Sequence, residues 1–131
     1  MNQTDIAIVG GGLAGVALAE QLQREGVDYQ IFEARDRLGG RIESTAYDGA
    51  RFDLGPAWFW HIQPRLMAVC ERLGVGVFEQ FSEGELLSED SVRQVHRGLG
   101  FSSMAGSLRI EGGVSALIDA FARDLPMARL H

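Results

Sequence analysis

Three glycines and one carboxylate near the start of the chain have the residue types and the spacing that suit nucleotide binding. Gly10, Gly12 and Gly15 follow an apolar run in the pattern Gly-x-Gly-x-x-Gly. In this pattern the first glycine permits a tight turn, the second lets a pyrophosphate approach the backbone, and the third allows a helix to pack closely on a strand. Glu33 follows at a distance that suits a carboxylate accepting hydrogen bonds from ribose hydroxyls. Together they predict a dinucleotide site.

The residues around the glycines predict the elements that must position them. Ile6 to Val9 is an apolar, β-branched run typical of a strand buried on both faces. The next stretch predicts a helix that ends at Gly26, and Tyr29 to Phe32 predicts a second strand. Because a helix N-terminus attracts phosphate, Leu13 and Ala14 join the predicted site. The solvent side of the helix is expected to carry Glu20, Gln21, Arg24 and Glu25.

A second glycine-rich stretch, Arg37-Leu38-Gly39-Gly40-Arg41, follows soon after Glu33. Adjacent glycines suit a backbone that bends sharply and exposes N–H groups to an anion. Arg41 is able to place a guanidinium on a phosphate. Taken alone, the stretch is equally consistent with a polar surface turn.

The two stretches together resemble the flavin-containing amine oxidase family. The resemblance rests on Ile8-Val9-Gly10-x-Gly12-x-x-Gly15, on Phe32-Glu33-Ala34 and on the second glycine-rich stretch, and it is strong over residues 6 to 60. It implies an α/β fold: a Rossmann-like FAD-binding domain with a βαβ start and an added β-hairpin, incomplete relative to the family. FAD is the implied cofactor.

The resemblance also assigns roles to individual residues. It implies that Glu33 binds the adenosine ribose of FAD, and Ala34 and Arg35 beside it belong to the predicted cofactor site. It also implies that Gly39, Gly40 and Arg41 lie along the pyrophosphate and the ribityl side.

A third motif follows a predicted hairpin of Ile42 to Thr45 and Ala50 to Asp53, which turns at Asp48-Gly49. Asp53 to Trp58 matches the family pattern Asp-x-Gly-x-x-Trp, found on a loop that passes the isoalloxazine ring. The resemblance therefore places four residues beside the flavin: Gly55, Pro56, Ala57 and Trp58. Many relatives have a small residue in place of Pro56. The next aromatic residues, Phe59 and Trp60, suit the hydrophobic core equally well.

The remaining sequence predicts further elements of one partial FAD-binding domain over residues 1–131. Pro64 to Leu73 predicts a helix with Cys70 on its apolar face. Glu85 to Ser88 and Val92 to His96 suit either a hairpin or a solvated acidic loop, Gly98 to Gly106 has a flexible composition, and residues 82–106 are predicted to extend toward the substrate side. Ser107 to Gly113 resembles the family's return motif, an amphipathic helix follows, and Met127 to His131 predicts another strand.

The overall composition excludes some classes of function. The net charge of −6 gives no electrostatic support for nucleic-acid binding. No stretch is long enough to span a membrane. The single cysteine allows no internal disulfide and offers no metal cluster, so we expect a cytoplasmic protein without a metal site.

The resemblance implies oxidation of a C–N bond, with hydride transfer from a small-molecule amine to flavin N5. No residue is assigned as acid, base or nucleophile. Family members run several times longer, so the chain is expected to be a fragment or to complete itself by self-association or with a complementing chain. Two alternatives remain: a related flavoprotein (a desaturase or a renalase-like enzyme), or a truncated, non-catalytic module that binds nucleotide or a partner.

Overall fold

The chain begins with the predicted strand, helix and strand. The computed structural model describes residues 3–98 and 104–126, and its first elements are β1 (Ile6–Val9), α1 (Leu13–Glu25) and β2 (Tyr29–Phe32). β1 and β2 pair in parallel, with Ile8 opposite Ile31. Since parallel neighbours need a crossover connection, α1 joins them as in any βαβ unit. The prediction is confirmed.

Helix α1 is held to the sheet by its small and branched residues. Val16 and Ala19 are fully buried. The helix ends at Gly26, whose φ of +69° is left-handed, and the N–H of Val27 donates to the carbonyl of Leu22 at 3.0 Å. Glu20 does not lie on the solvent side, because the guanidinium of Arg72, on a later helix, donates to both of its carboxylate oxygens at 2.7 and 3.2 Å.

The expectation that β1 is buried on both faces is wrong. Ile8 and Ile31 are buried on the face that α1 covers. Ala7 and Val9 point to the opposite face, and Val9 is 89% exposed. The β-branched run therefore marks a strand with one covered face, since no element of the described residues packs over the other.

The added hairpin is present as predicted. It consists of β3 (Ser44–Tyr47) and β4 (Ala50–Asp53), which pair antiparallel. Asp48 and Gly49 both have positive φ, +48° and +75°, as a tight two-residue hairpin turn demands. The first strand begins later than the predicted Ile42. Ile42 is buried instead, and its N–H donates to the carbonyl of Gly39 at 3.0 Å to close the preceding turn.

Further strands and helices complete the described part of the chain. They are β5 (Phe59–Trp60), α2 (Pro64–Leu73), β6 (Val77–Glu79), β7 (Leu87–Glu89), β8 (Val95–Arg97), β9 (Ser107–Ile110) and α3 (Ser115–Ala122). β9 lies between β5 and β6 in an antiparallel sheet. Helix α2 has the predicted bounds. β7 and β8 form the predicted hairpin and not the alternative, a solvated acidic loop.

The hydrophobic core joins α1, α2 and α3 to the strands. Four residues of the predicted amphipathic helix are buried: Leu117, Ile118, Phe121 and Leu125. Cys70 is buried as predicted, and burial raises the pKa of its thiol. Phe59 belongs to the core, whereas Trp60 is partly exposed. Two predictions involve residues that the structure does not describe. The stretch of flexible composition, Gly98 to Gly106, includes residues 99–103, and the predicted final strand lies at residues 127–131.

Candidate dinucleotide-binding site

The first glycine loop connects β1 to the N-terminus of α1. Gly10 has a φ of +98°, and its N–H donates to the carbonyl of Phe32 at 2.8 Å, which ties the loop to the end of β2. A side chain at Gly15 would collide with the carbonyl oxygen of Gly10. Gly12 is the N-cap of α1, and no side chain caps the first turn. The N–H groups of that turn are therefore available to an anion.

The second glycine loop packs directly on the first. Gly39 and Gly40 have φ values of +106° and +61°, which favour glycine. The N–H of Gly39 donates to the carbonyl of Gly11 at 2.8 Å, and a Cβ on Gly40 would lie 3.3 Å from the Cα of Gly12. The two loops thus meet backbone to backbone, at a separation that leaves little room for side chains.

Arg37 fixes the second loop. Its guanidinium donates to the carbonyls of Gly40 at 3.1 Å and Ile42 at 3.3 Å, and it pairs with the carboxylate of Glu43 at 2.6 Å. The sequence motif contains Arg37, but sequence reasoning gave it no role. Its acceptors are mostly backbone carbonyls, which carry no residue-type signal.

Glu33 is oriented by backbone donors at the end of β2. Its Oε2 accepts a hydrogen bond from the N–H of Gly11 at 2.7 Å, and its Oε1 accepts one from the N–H of Arg35 at 2.9 Å. These two bonds, with the one from Arg35 contributing most, hold the pKa of the Glu33 carboxyl below its ordinary value. The group is therefore a fixed anion at neutral pH, with lone pairs left for further donors.

A cleft of about 800 Å³ opens beside the two loops. It is lined by Gly12, Leu13, Ala14, Ala17, Arg35, Gly39, Gly40, Arg41, Ile42 and Pro56. Sequence reasoning missed Ala17 and Ile42. Helical periodicity could have found Ala17, one turn after Leu13, whereas Ile42 reaches the cleft only because of the turn that Arg37 holds.

The other predicted site residues lie outside the lining. Three of them shape the first glycine loop without lining the cleft: Gly10, Gly15 and Glu33. The others are Ala34, Gly55, Ala57 and Trp58. Gly55 packs so closely on the carbonyl of Arg41 that a side chain there would collide with it. Trp58 is about half exposed. Of the third motif, only Pro56 is part of the cleft wall.

The cleft carries positive charge. Within residues 3–98 and 104–126, the guanidinium groups of Arg35 and Arg41 make no hydrogen bond or ion pair, and both residues line the cleft. Together with the uncapped start of α1, they create an environment that favours phosphate oxygens. The arrangement can bind an extended diphosphate, with a carboxylate at one side for hydroxyl donors.

A family model decides what kind of domain this is: a model described as an NAD(P)-binding Rossmann-like domain matches residues 8–73. The chain belongs to this family. The match contains both glycine loops, Glu33 and the added hairpin, but it ends before β9 and α3.

Known relatives of this Rossmann-like chain are flavin enzymes. It is 35% identical over 108 residues to a probable flavin-containing monoamine oxidase A of Dictyostelium discoideum, covering 82% of this chain and 24% of that protein. It is 31% identical over 125 residues to putrescine oxidase of Kocuria rosea, covering 94% and 26%. The structure of wild-type putrescine oxidase bound to putrescine superposes with a TM-score of 0.69 and 36% identity, covering 78% of this chain and 23% of that one.

These relatives confirm the resemblance to flavin-containing amine oxidases and identify FAD as the cofactor of this group of proteins. The chain spans about a quarter of the length of the curated relatives it matches. In the described part of this chain, no helix has the length and apolar character needed to cross a bilayer. The same residues contain no group of three or more His, Cys, Asp or Glu side chains able to hold a metal ion.

Proposed function

We propose that this chain is the FAD-binding portion of an amine oxidase-like oxidoreductase, and that the complete enzyme oxidises a C–N bond of a small amine. The observation that supports this most is the junction of the two glycine loops beside Glu33, with a cationic cleft along it. The flavin relatives support FAD over a nicotinamide dinucleotide. We expect the complete protein to be cytoplasmic.

The residues present fit such a cofactor. Gly12 leaves its side of the cleft open, and the uncapped start of α1 is directed at the same space. In the proposal these groups and Gly40 hold the pyrophosphate, while Arg35 and Arg41 neutralise its charge. The Glu33 carboxylate accepts hydrogen bonds from the adenosine ribose.

When bound, FAD supplies the acceptor for the hydride that leaves the amine carbon, and the protein contributes binding, orientation and electrostatics. On this side of the cofactor, the role of the chain is to anchor the nucleotide. Pro56 and Ile42 add apolar wall that excludes water from the cleft. We assign residues 82–106, which include the exposed β7–β8 hairpin, to the substrate side.

A binding titration tests the anchoring role. Adding the purified chain to FAD should quench flavin fluorescence, and FAD should raise the melting temperature of the chain, whereas NAD at equal concentration should leave the melting temperature unchanged. Glu33→Ala should weaken FAD binding about tenfold, since it removes a charged acceptor of ribose hydroxyls. Glu25→Ala, on the exposed surface of α1, is the matched control and should leave the dissociation constant unchanged. Equal binding by wild type and Glu33→Ala would contradict the assignment.

The reaction class needs a separate experiment. In the complete protein with FAD bound under anaerobic conditions, a primary amine such as putrescine should bleach the flavin absorbance. Bleaching by a dihydronicotinamide and not by amines would instead support the renalase-like alternative. Failure to bind FAD at all would support a non-catalytic module.

A further inference from the structure

One buried carboxylate lies outside the dinucleotide cleft and has no part in the function proposed above. Asp53, the last residue of β4, has a side chain that is 3% exposed. Its Oδ1 accepts a hydrogen bond from the hydroxyl of Ser44 at 2.9 Å and another from the N–H of Val114 at 2.8 Å. Its Oδ2 lies 3.5 Å from the guanidinium of Arg109.

These contacts join segments that are far apart in sequence. Ser44 begins β3 of the hairpin, Arg109 belongs to β9, and Val114 precedes α3. A Cβ on Gly113 would lie 2.9 Å from Oδ1, so the backbone of the return motif fits tightly against the carboxylate. The carboxylate also satisfies an N–H at the start of α3, where a negative charge is favoured by the helix dipole.

The residues that follow Asp53 lead directly to the cleft. The N–H of Leu54 donates to the carbonyl of Glu43 at 2.8 Å, Gly55 packs on the carbonyl of Arg41, and Pro56 lines the cleft. Helix α3, which follows the return motif, approaches the second glycine loop from the side away from the cleft. A Cβ added to Gly39 would lie 3.6 Å from Cγ1 of Ile118, so the Ile118 side chain of α3 lies close to the second glycine loop.

We propose that Asp53 is a positioning residue for the dinucleotide site. By fixing the start of α3 to the hairpin, it sets the place of Ile118 behind Gly39 and of Pro56 at the cleft. It acts through the chain segments that it joins and does not touch the cofactor. This inference rests on the proposed FAD function only for its effect on binding, since its effect on the cleft wall is a property of the free chain.

Hydrogen exchange in the ligand-free chain tests the structural part. Asp53→Ala should speed exchange of the amides of Leu54 and Val114 and of residues 39–42, with α1 and β2 unchanged. Asp53→Asn retains an oxygen that accepts from Ser44 and Val114, so it should restore most of the protection. Ser88→Ala, in the exposed hairpin, is a control without effect. Unchanged exchange at Leu54 and 39–42, or equal acceleration throughout the chain, would overturn the proposal.

FAD titration separates positioning from mere stability. At a temperature where both proteins are folded, Asp53→Ala should weaken FAD binding about tenfold and alter the visible circular dichroism of the bound flavin, and Asp53→Asn should recover both. A lower melting temperature with an unchanged dissociation constant and flavin signal would refute positioning. Should the wild-type chain bind no FAD, the proposed function fails, and the exchange result alone decides the role of Asp53.

Discussion

The two glycine loops form one surface but are positioned by different means. The first lies between β1 and α1 and is held mainly by backbone contacts, such as Gly15 on the carbonyl of Gly10, with the carboxylate of Glu33 accepting from the N–H of Gly11. The second lies within the irregular connection between β2 and β3. It depends on the side chain of Arg37, on the carbonyl of Gly11 and on a helix much later in the chain.

This difference has a physical consequence. A loop between a strand and a helix inherits its geometry from cooperative backbone hydrogen bonding, so few individual side chains are critical. A loop held by one guanidinium and one packing contact concentrates its stability in a few groups. We therefore expect the second loop to be the more sensitive of the two to changes in side chains.

The largest effect is expected for Gly39→Ala. The φ of +106° is strained for alanine, and its Cβ would lie 2.6 Å from the carbonyl oxygen of Ile42. The free energy of unfolding should fall by about 2–4 kcal/mol, combining backbone strain with overpacking. Urea denaturation measures this change. Gly76→Ala is a matched control, because its close neighbour is the far end of the exposed Glu111 side chain, which can rotate away. Equal effects of the two substitutions would show that the second loop can relax.

An intermediate effect is expected for Arg37→Ala. It leaves the carbonyls of Gly40 and Ile42 without their charged donor, which should lower the free energy of unfolding by about 1–3 kcal/mol and weaken FAD binding. Denaturation and fluorescence titration measure the two quantities. The control is Arg24→Ala, which removes the ion pair of an exposed guanidinium with Glu20 at 3.9 Å and should change stability by under about 1 kcal/mol. If both arginines behaved alike, the second loop would not depend on Arg37.

The smallest effect concerns the pH dependence of the first loop. Backbone donors lower the folded-state pKa of Glu33, so its ionised form stabilises the fold above the unfolded-state pKa of about 4.3. That contribution is lost as pH falls from there through the depressed folded-state pKa. Glu33→Gln should therefore flatten the acid side of the stability curve, measured by denaturation at a series of pH values. Glu25→Gln should retain the wild-type slope, and a steeper curve for Glu33→Gln would have the wrong sign.

The sequence predicted those elements that depend on residues close together in the chain. The βαβ start, the hairpin at Asp48-Gly49 and the bounds of α2 follow from periodicity, turn residues and the glycines at helix ends. The interpretation failed where distant chain segments decide the outcome. Glu20 is largely shielded from solvent because it pairs with Arg72. Val9 is exposed because only one face of the sheet is covered.

The candidate site shows the same division. The glycines of both loops and Glu33 were recognisable by type and spacing, and three of them, Gly12, Gly39 and Gly40, line one cleft. The contacts of Arg37 with Gly40 and Ile42 and of Asp53 with Val114 were not recognisable, because these partners are carbonyl and N–H groups that every residue possesses. A sequence pattern identifies which residues must be small or charged. It does not reveal which backbone atoms those residues will meet.

The packing of Ile118 behind Gly39 has an evolutionary consequence. Because the side chain of Ile118 lies close to the second glycine loop, changes in the loop and in this distant helix are coupled, although the two share no motif. A larger residue at position 118 would press on the loop, and a smaller one would leave a void beneath it. We therefore expect position 118 to tolerate little variation in volume among close relatives, while the exposed face of the same helix is free to diverge.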